Sequence, residues 1–381
     1  MKRIGIFCFH DKEGIVDKYI EFLLHELCRC LSSLVIVING KINDDGKLIL
    51  EKYADAIYIR ENKGFDGGAY KDVILNILGW KKIQEFDELV LCNDTFYGPF
   101  ISFESIFDEM ENRHVDFWGM SYYHNIITNH ILSYFLVFNK KVINEKIIIE
   151  YFNKNINLST QNINDVYGEF EAGLFYYMVK NGYSFSTYSE NNPFDINKCS
   201  NLCIKESKVP ILKKKAFSPK YFVRNNIMDA LKYLRQNSNF DLDLILDNVK
   251  RLYNLTITKQ EIEEFNVDKE DIIRIKYDVA RINDKDIKRI VLMGKKIYVY
   301  GLGVFSGIIS QIIDICHGKI AGYIVSDNQN DIPESKNGIK VYKVSEIDYI
   351  DNMVIIVALN KEHTEEVRPY LKKFKEVICL W

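Results

Sequence analysis

The chain has no C-x-x-C pair. Its eight cysteines, Cys8, Cys28, Cys30, Cys92, Cys199, Cys203, Cys316 and Cys379, are scattered, and several sit inside apolar runs. Zinc is therefore not expected, and the thiols read as small buried hydrophobes of a reducing compartment. A charge excess is missing too: 50 Lys and Arg stand against 53 Asp and Glu, for a net charge of -3. No nucleic-acid partner is expected, and any site for a polyanion has to be local. Met1 to His10 lack the basic, apolar and small-residue order of a signal peptide, so a cytoplasmic protein is expected. One uncharged run, Ile297 to Ile313, carries Gly301, Gly303, Ser306 and Gly307 in its middle. It reads as strand, glycine turn and helix rather than as a membrane span. Neither a Walker G-x-x-x-x-G-K-[ST] motif nor a Ser-His-Asp arrangement can be read from the sequence.

What remains is a chain of 381 residues, 47% hydrophobic and 13% aromatic, long enough for two or three domains with a large core. Strands are expected at Ile4–Phe9, Leu34–Ile38 and Ala56–Arg60. Helices are expected between them, one with Val16, Tyr19, Ile20, Leu23, Leu24 and Leu27 on a single face and one from Asp44 to about Tyr53. That β-α-β-α-β order predicts an α/β fold with a parallel, doubly wound sheet. Leu89–Cys92 reads as a strand buried on both faces. It stops abruptly at Asn93-Asp94-Thr95, which puts the Asp94 carboxylate where α/β sheets bind ligands, although the same tripeptide also makes an ordinary turn.

Three other polar insertions interrupt the apolar pattern. Arg60 to Tyr70 carry Lys63, Gly64, Asp66, Gly67 and Gly68 ahead of a helix. Such a turn either cradles a phosphate on backbone N–H groups, with Arg60 and Lys63 adding positive charge, or only lets the chain turn. Between expected strands at Asp116–Met120 and Ser133–Phe138 lie Tyr122, Tyr123, His124, Asn129 and His130. The two histidines match no metal spacing and are expected to face solvent from a loop. Gly168 to Leu174 place Glu169 and Glu171 at the expected opening of a helix, where acidic residues are common for dipole reasons alone.

Taken together these pieces resemble the rhamnan synthesis protein F family and, more broadly, inverting glycosyltransferases of the GT-A fold. The resemblance rests on His10 to Asp17, Val37 to Lys41 with Asn39, Arg60 to Tyr70, Leu91 to Thr95 with Gly98-Pro99, Asp116 to Gly119 and Ser133 to Phe138, and it spans about residues 1–190. It implies a GT-A-like, mostly parallel sheet flanked by helices. It also implies a donor site formed by Asn39, Arg60, Lys63, Gly64, Asp66, Gly67, Asn93 and Asp94, with a divalent cation, Mg2+ or Mn2+, at Asp94. Cys92-Asn93-Asp94 offers one acid and one amide in place of the usual pair of carboxylates. Glu171 maps onto the family's catalytic base because Leu174 follows it at the expected offset, with Glu169 as the alternative. Inverting transfer needs such a base for the acceptor hydroxyl and positive charge or N–H donors for the leaving diphosphate.

The second half adds a basic, aromatic run at 205–235, with Lys205, Lys208, Lys213, Lys214, Lys215, Lys220, Arg224, Lys232 and Arg235 among Phe217, Tyr221 and Phe222. It is either a peripheral contact for the inner membrane face or a solvated surface. A helical, charge-rich pattern follows to about 290. From Lys295, β-α-β order restarts around Gly301-Leu302-Gly303-Val304-Phe305-Ser306-Gly307, with Asp327 at the end of the second strand, as in a small Rossmann-like module. The expected division is 1–205 for the GT-A-like domain, 206–290 for a helical connector and 291–381 for the accessory Rossmann-like domain. The implied function is transfer of a sugar, L-rhamnose from its dTDP donor, to a growing polysaccharide or lipid-linked saccharide. An NAD(P)-dependent oxidoreductase or epimerase run by the last module, or a non-catalytic scaffold of polysaccharide assembly, are the alternatives.

Overall fold

In a computed structural model of the chain, residues 1–124, 129–156, 160, 162–190, 192, 194–266, 284–348, 351–359 and 361–379 are described. The chain forms two compact units. One comprises Met1–Tyr123 with His130–Val279, the other Ala280–Trp381 with the short stretch His124–Asn129.

The first ten strands are β1 (Arg3–Phe9), β2 (Ser33–Asn39), β3 (Ala56–Arg60), β4 (Glu88–Asn93), β5 (Phe96–Tyr97), β6 (Phe117–His124), β7 (Asn129–Ile131), β8 (Phe135–Phe138), β9 (Phe185–Ser189) and β10 (Leu212–Lys213). The main sheet runs β3-β2-β1-β4-β8-β6-β7, with β9 added beside β6. β1 to β4 pair in parallel, whereas β8 is antiparallel to both β4 and β6. Alternate side chains of the strands divide between two cores, as a period of two requires. Phe7, Phe9, Ile36, Ile38, Val90 and Val137 lie in one, while Ile6, Cys8, Val35, Val37, Leu89 and Leu91 lie in the other. Strands buried on both faces explain why the expected β-α-β elements were so plain in the sequence. All eight cysteines are free thiols.

The expected division at 205 is not what the fold adopts. Helices Arg224–Asn237, Asp243–Tyr253 and Lys259–Glu264 bury Ile227, Leu231, Ile245, Val249 and Ile262 in the same core as Phe7 and Tyr19. The first unit therefore continues into the expected connector, whose residues 267–283 lie outside the described set. The reason is amphipathic pattern: a helix with an apolar stripe has to cover something, and here it covers the sheet.

The second unit is a sheet of order β13-β14-β12-β11-β15-β16, from β11 (Lys296–Tyr300), β12 (Ile320–Val325), β13 (Ser335–Lys336), β14 (Ile339–Lys343), β15 (Met353–Val357) and β16 (Val377–Cys379). The uncharged run at Ile297–Ile313 is β11, a glycine turn and the helix Val304–Ile315. No helix of the described residues is long and apolar enough to cross a membrane. Beside the glycine turn Lys336 Nζ donates to Leu302 O at 2.7 Å and to Ser306 Oγ at 2.6 Å, and at the end of β12 Asp327 Oδ1 accepts from Ser345 N at 3.0 Å.

Candidate active site

The carboxyl ends of β1 to β4 lie along one edge of the main sheet, and the chain changes direction across it between β1 and β4. Such a switch point opens the crevice where α/β sheets bind ligands. Asp94 sits there, 5% exposed. Its Oδ2 accepts from Lys214 Nζ at 3.0 Å, and its backbone carbonyl accepts from the Tyr19 hydroxyl at 3.1 Å. Lys214 also donates to the Tyr19 oxygen at 2.6 Å. Lys213 donates to Thr95 Oγ1 at 2.5 Å, Thr95 Oγ1 to Asn93 Oδ1 at 2.7 Å, and Asn93 Nδ2 to Asp66 Oδ2 at 2.9 Å. One chain of hydrogen bonds therefore links Lys213 to Asp66 through the Asn93–Thr95 turn. Both lysines reach it because β10 pairs antiparallel with β5, Lys213 opposite Phe96.

The charges around Lys213 govern its chemistry. Burial pushes its ammonium down to about 8, against the pull of Glu171, Asp66 and Asp94. Burial pushes the Asp66 carboxyl up to about 6, opposed by the Asn93 amide and assisted by the Glu171 charge. Glu171 goes the other way. Burial favours its protonated form, but His130 and Ser133 hold it down at about 2. Its Oε1 lies 3.2 Å from His130 Nε2, and its Oε2 accepts from Ser133 N at 3.0 Å and Ser133 Oγ at 2.6 Å.

Neither glutamate opens a helix. A π-helical stretch, Tyr167–Ala172, lies between the helices Ile163–Val166 and Gly173–Lys180, so Glu169 and Glu171 fall in mid-run and dipole capping does not account for them. π-helical turns of this kind recur at functional sites. Glu171 is the foremost of the charges that act on Lys213.

Several expected donor-site residues hold the scaffold instead. Arg60 donates to Asp72 Oδ2 at 2.7 Å, Asn39 Oδ1 at 2.7 Å and Lys63 O at 2.8 Å, while Asn39 Nδ2 donates to Phe65 O at 2.9 Å. Lys63 is exposed and paired with Glu61. Gly64 takes φ +70°, and the amides of Gly64, Gly67 and Gly68 are bound to Thr160 O, Asp66 Oδ1 and Gly64 O. The glycine turn therefore positions Asp66 rather than leaving those N–H groups open to a phosphate. A Cβ on Gly67 would meet Phe170 Cβ at 2.9 Å, which packs the Asp66 segment against the Glu171 segment. Gly67→Ala is expected to cost about 1–3 kcal/mol in thermal or urea denaturation by forcing these two apart.

His130 and the lysines were the residues that local reasoning misplaced. β6 runs on to His124 and β7 begins at Asn129, so His130 is a buried strand residue, 4% exposed, and not a solvent-facing loop histidine; residues 125–128 of the expected loop lie outside the described set. The basic run at 205–235 is not a continuous cationic face. Lys213 and Lys214 turn inward, Lys205 pairs with Asp229, Arg224 with Glu261 and Arg235 with Glu263. The alternation of lysines with Phe217 and Tyr221 was the signal that some of these cations would be buried.

A divalent cation at Asp94 finds a poor donor set. The carboxylate already binds the Lys214 ammonium, Asn93 supplies only an amide, and no group of three or more His, Cys, Asp and Glu among the described residues could hold an ion. Lys213 and Lys214 put positive charge at that place without one.

The family model described as rhamnan synthesis protein F matches residues 34–302. The chain belongs to that family. The chain is 30% identical over 185 residues to the virulence protein VirA of Vibrio anguillarum, covering 48% of this chain and 57% of that protein. It is 27% identical over 154 residues to the protein y4gN of Sinorhizobium fredii, covering 40% and 39%. The match thus spans little more than half the length of the first of these relatives. Among solved structures, the glycosyltransferase GlyE of Streptococcus pneumoniae aligns over 97% of this chain and 99% of its own at 12% identity and a TM-score of 0.34, too low to transfer residue roles.

Proposed function

We propose that this member of the rhamnan synthesis protein F family is an inverting glycosyltransferase that moves L-rhamnose from dTDP-rhamnose to a growing cell-surface polysaccharide or its lipid-linked precursor. The observation that carries the reading is the gathering of Asp66, Asn93, Asp94, Lys213, Lys214 and Glu171 at the sheet's switch point, with family membership supporting a role in rhamnan assembly. In a single displacement the acceptor oxygen bonds to the anomeric carbon as the bond from that carbon to the diphosphate breaks. The electron pair leaves with the phosphate oxygen. Lys213 and Lys214 stabilise this departing charge in a water-poor setting, where fixed cations act most strongly. Asp94 and Tyr19 hold Lys214 in place, and Asp66 is kept near the lysines by Asn93 and the Gly67 amide. The Glu171 side of the site receives the acceptor proton.

The test is a screen of nucleotide release across dTDP-, UDP- and GDP-sugars, together with melting-temperature shifts for the free nucleotides. The largest release is expected with dTDP-rhamnose, and dTDP is expected to raise the melting temperature by RT ln(1 + [L]/Kd) worth of stability. A shift with NAD(P) and none with any nucleoside diphosphate would overturn the reading in favour of an oxidoreductase.

A further inference from the structure

We infer that His130, not Glu171, takes the proton of the attacking hydroxyl, and that Glu171 is a positioning residue that orients the imidazole and stabilises its cation. The inference rests on the transferase reading above and deepens it. Glu171 has little capacity left as an acceptor: Ser133 N, Ser133 Oγ and His130 Nε2 all converge on its two oxygens. A carboxylate so satisfied has little left to offer the proton of a further hydroxyl. Because Glu171 is anionic and accepts, Nε2 of His130 is the nitrogen that carries the hydrogen, and this fixes the tautomer from the network. Nδ1 is then the nitrogen left with an unshared lone pair. That atom is buried and has no hydrogen-bond partner among the described residues. Buried polar atoms are nearly always paired, so an unpaired Nδ1 on a ring whose other nitrogen contacts the Glu171 carboxylate calls for a ligand.

The step balances without a co-reactant. The acceptor O–H proton passes to Nδ1, its oxygen forms the bond to the anomeric carbon, and the diphosphate leaves with the electron pair. The imidazolium that results is stabilised by Glu171 and later returns its proton to solvent. The groups that bear on the ring are Glu171 at Nε2 and the Tyr123 ring, 5.2 Å away centroid to centroid, with Lys213 and Asp66 acting through Glu171.

The experiment measures dTDP release from dTDP-rhamnose by the full chain across pH, with dTDP binding followed by melting temperature. His130→Gln keeps a donor for Glu171 and removes the base, so turnover is expected to fall about a hundredfold or more while dTDP still binds. His130→Asn serves as a second variant should the first not fold. In Glu171→Gln the imidazolium loses its anionic partner, so kcat should fall while KM for dTDP-rhamnose and dTDP binding stay near those of the unaltered chain, a split that a merely structural role would not give. Near-normal turnover in a folded His130→Gln protein overturns the inference and leaves the transferase reading standing. Lack of nucleotide release by the unaltered chain with every donor overturns both.

Discussion

Lys214→Met is expected to lower turnover of the nucleotide-sugar donor by about 10²–10³-fold, the usual consequence of removing one preorganised group that stabilises departing charge. Met keeps the length and apolar stem of Lys but carries no charge. The same change leaves Asp94 buried without its cation, and breaking one side of a buried pair costs about 3–5 kcal/mol. Lys214→Met with Asp94→Asn separates the two effects. The double variant should regain most of the lost stability in urea denaturation and none of the activity. Wild-type turnover should be unchanged by a chelator, because the lysines occupy the place a cation would take. Loss of activity in chelator, with recovery on adding Mg2+ or Mn2+, would instead return a divalent ion to Asp94.

Glu171→Gln should destabilise the fold at neutral pH, because the carboxylate that His130 and Ser133 hold below its usual range is replaced by an amide. The sign follows from the depressed pKa. The stabilisation is fully present above about 4.5 and is lost as pH falls through about 2, so the difference between wild type and variant should grow from pH 2 to pH 5 and then level off. Asp66 acts in the opposite direction. Its pKa is raised from 3.8 to about 6, so its contribution is present below about 3.8 and is lost as pH rises through about 6. Stability curves by urea denaturation across this range check both. A wild-type-minus-variant difference that does not change with pH would mean that the Ser133 and His130 contacts do not hold the Glu171 charge.

Local pattern was enough for much of the fold. β1 to β4, the helices between them and the strand-turn-helix at Ile297–Ile313 follow from periods of two and 3.6 and from glycine turns, all of which are written within a few consecutive residues. The place of Asp94 just after a strand was legible the same way, because a carboxylate ending a fully apolar strand is itself a local event. His130 was not. Its loop assignment failed because β7 is only Asn129–Ile131, and so short a strand leaves no period to read; its burial comes from β6 and the helical run that carries Glu171.

The sequence by itself determined the α/β class, the parallel order of the first strands, the glycine turn that seats Asp66 and the place of Asp94 at a strand end, since each depends on backbone preferences and side-chain alternation over short spans. Only the tertiary structure decided that Lys213 and Lys214 enter the site, that the helices Arg224–Asn237 to Lys259–Glu264 belong to the first core, and that Glu171 is bound by Ser133 and His130. The physical reason is sequence distance. The two lysines are brought to Thr95 and Asp94 by the pairing of β5 with β10, two strands of two residues each, more than a hundred positions apart. Pairing that short has no signature of its own, and it forms because the burial of Phe96, Tyr97, Leu212 and Phe217 in one core brings the segments together.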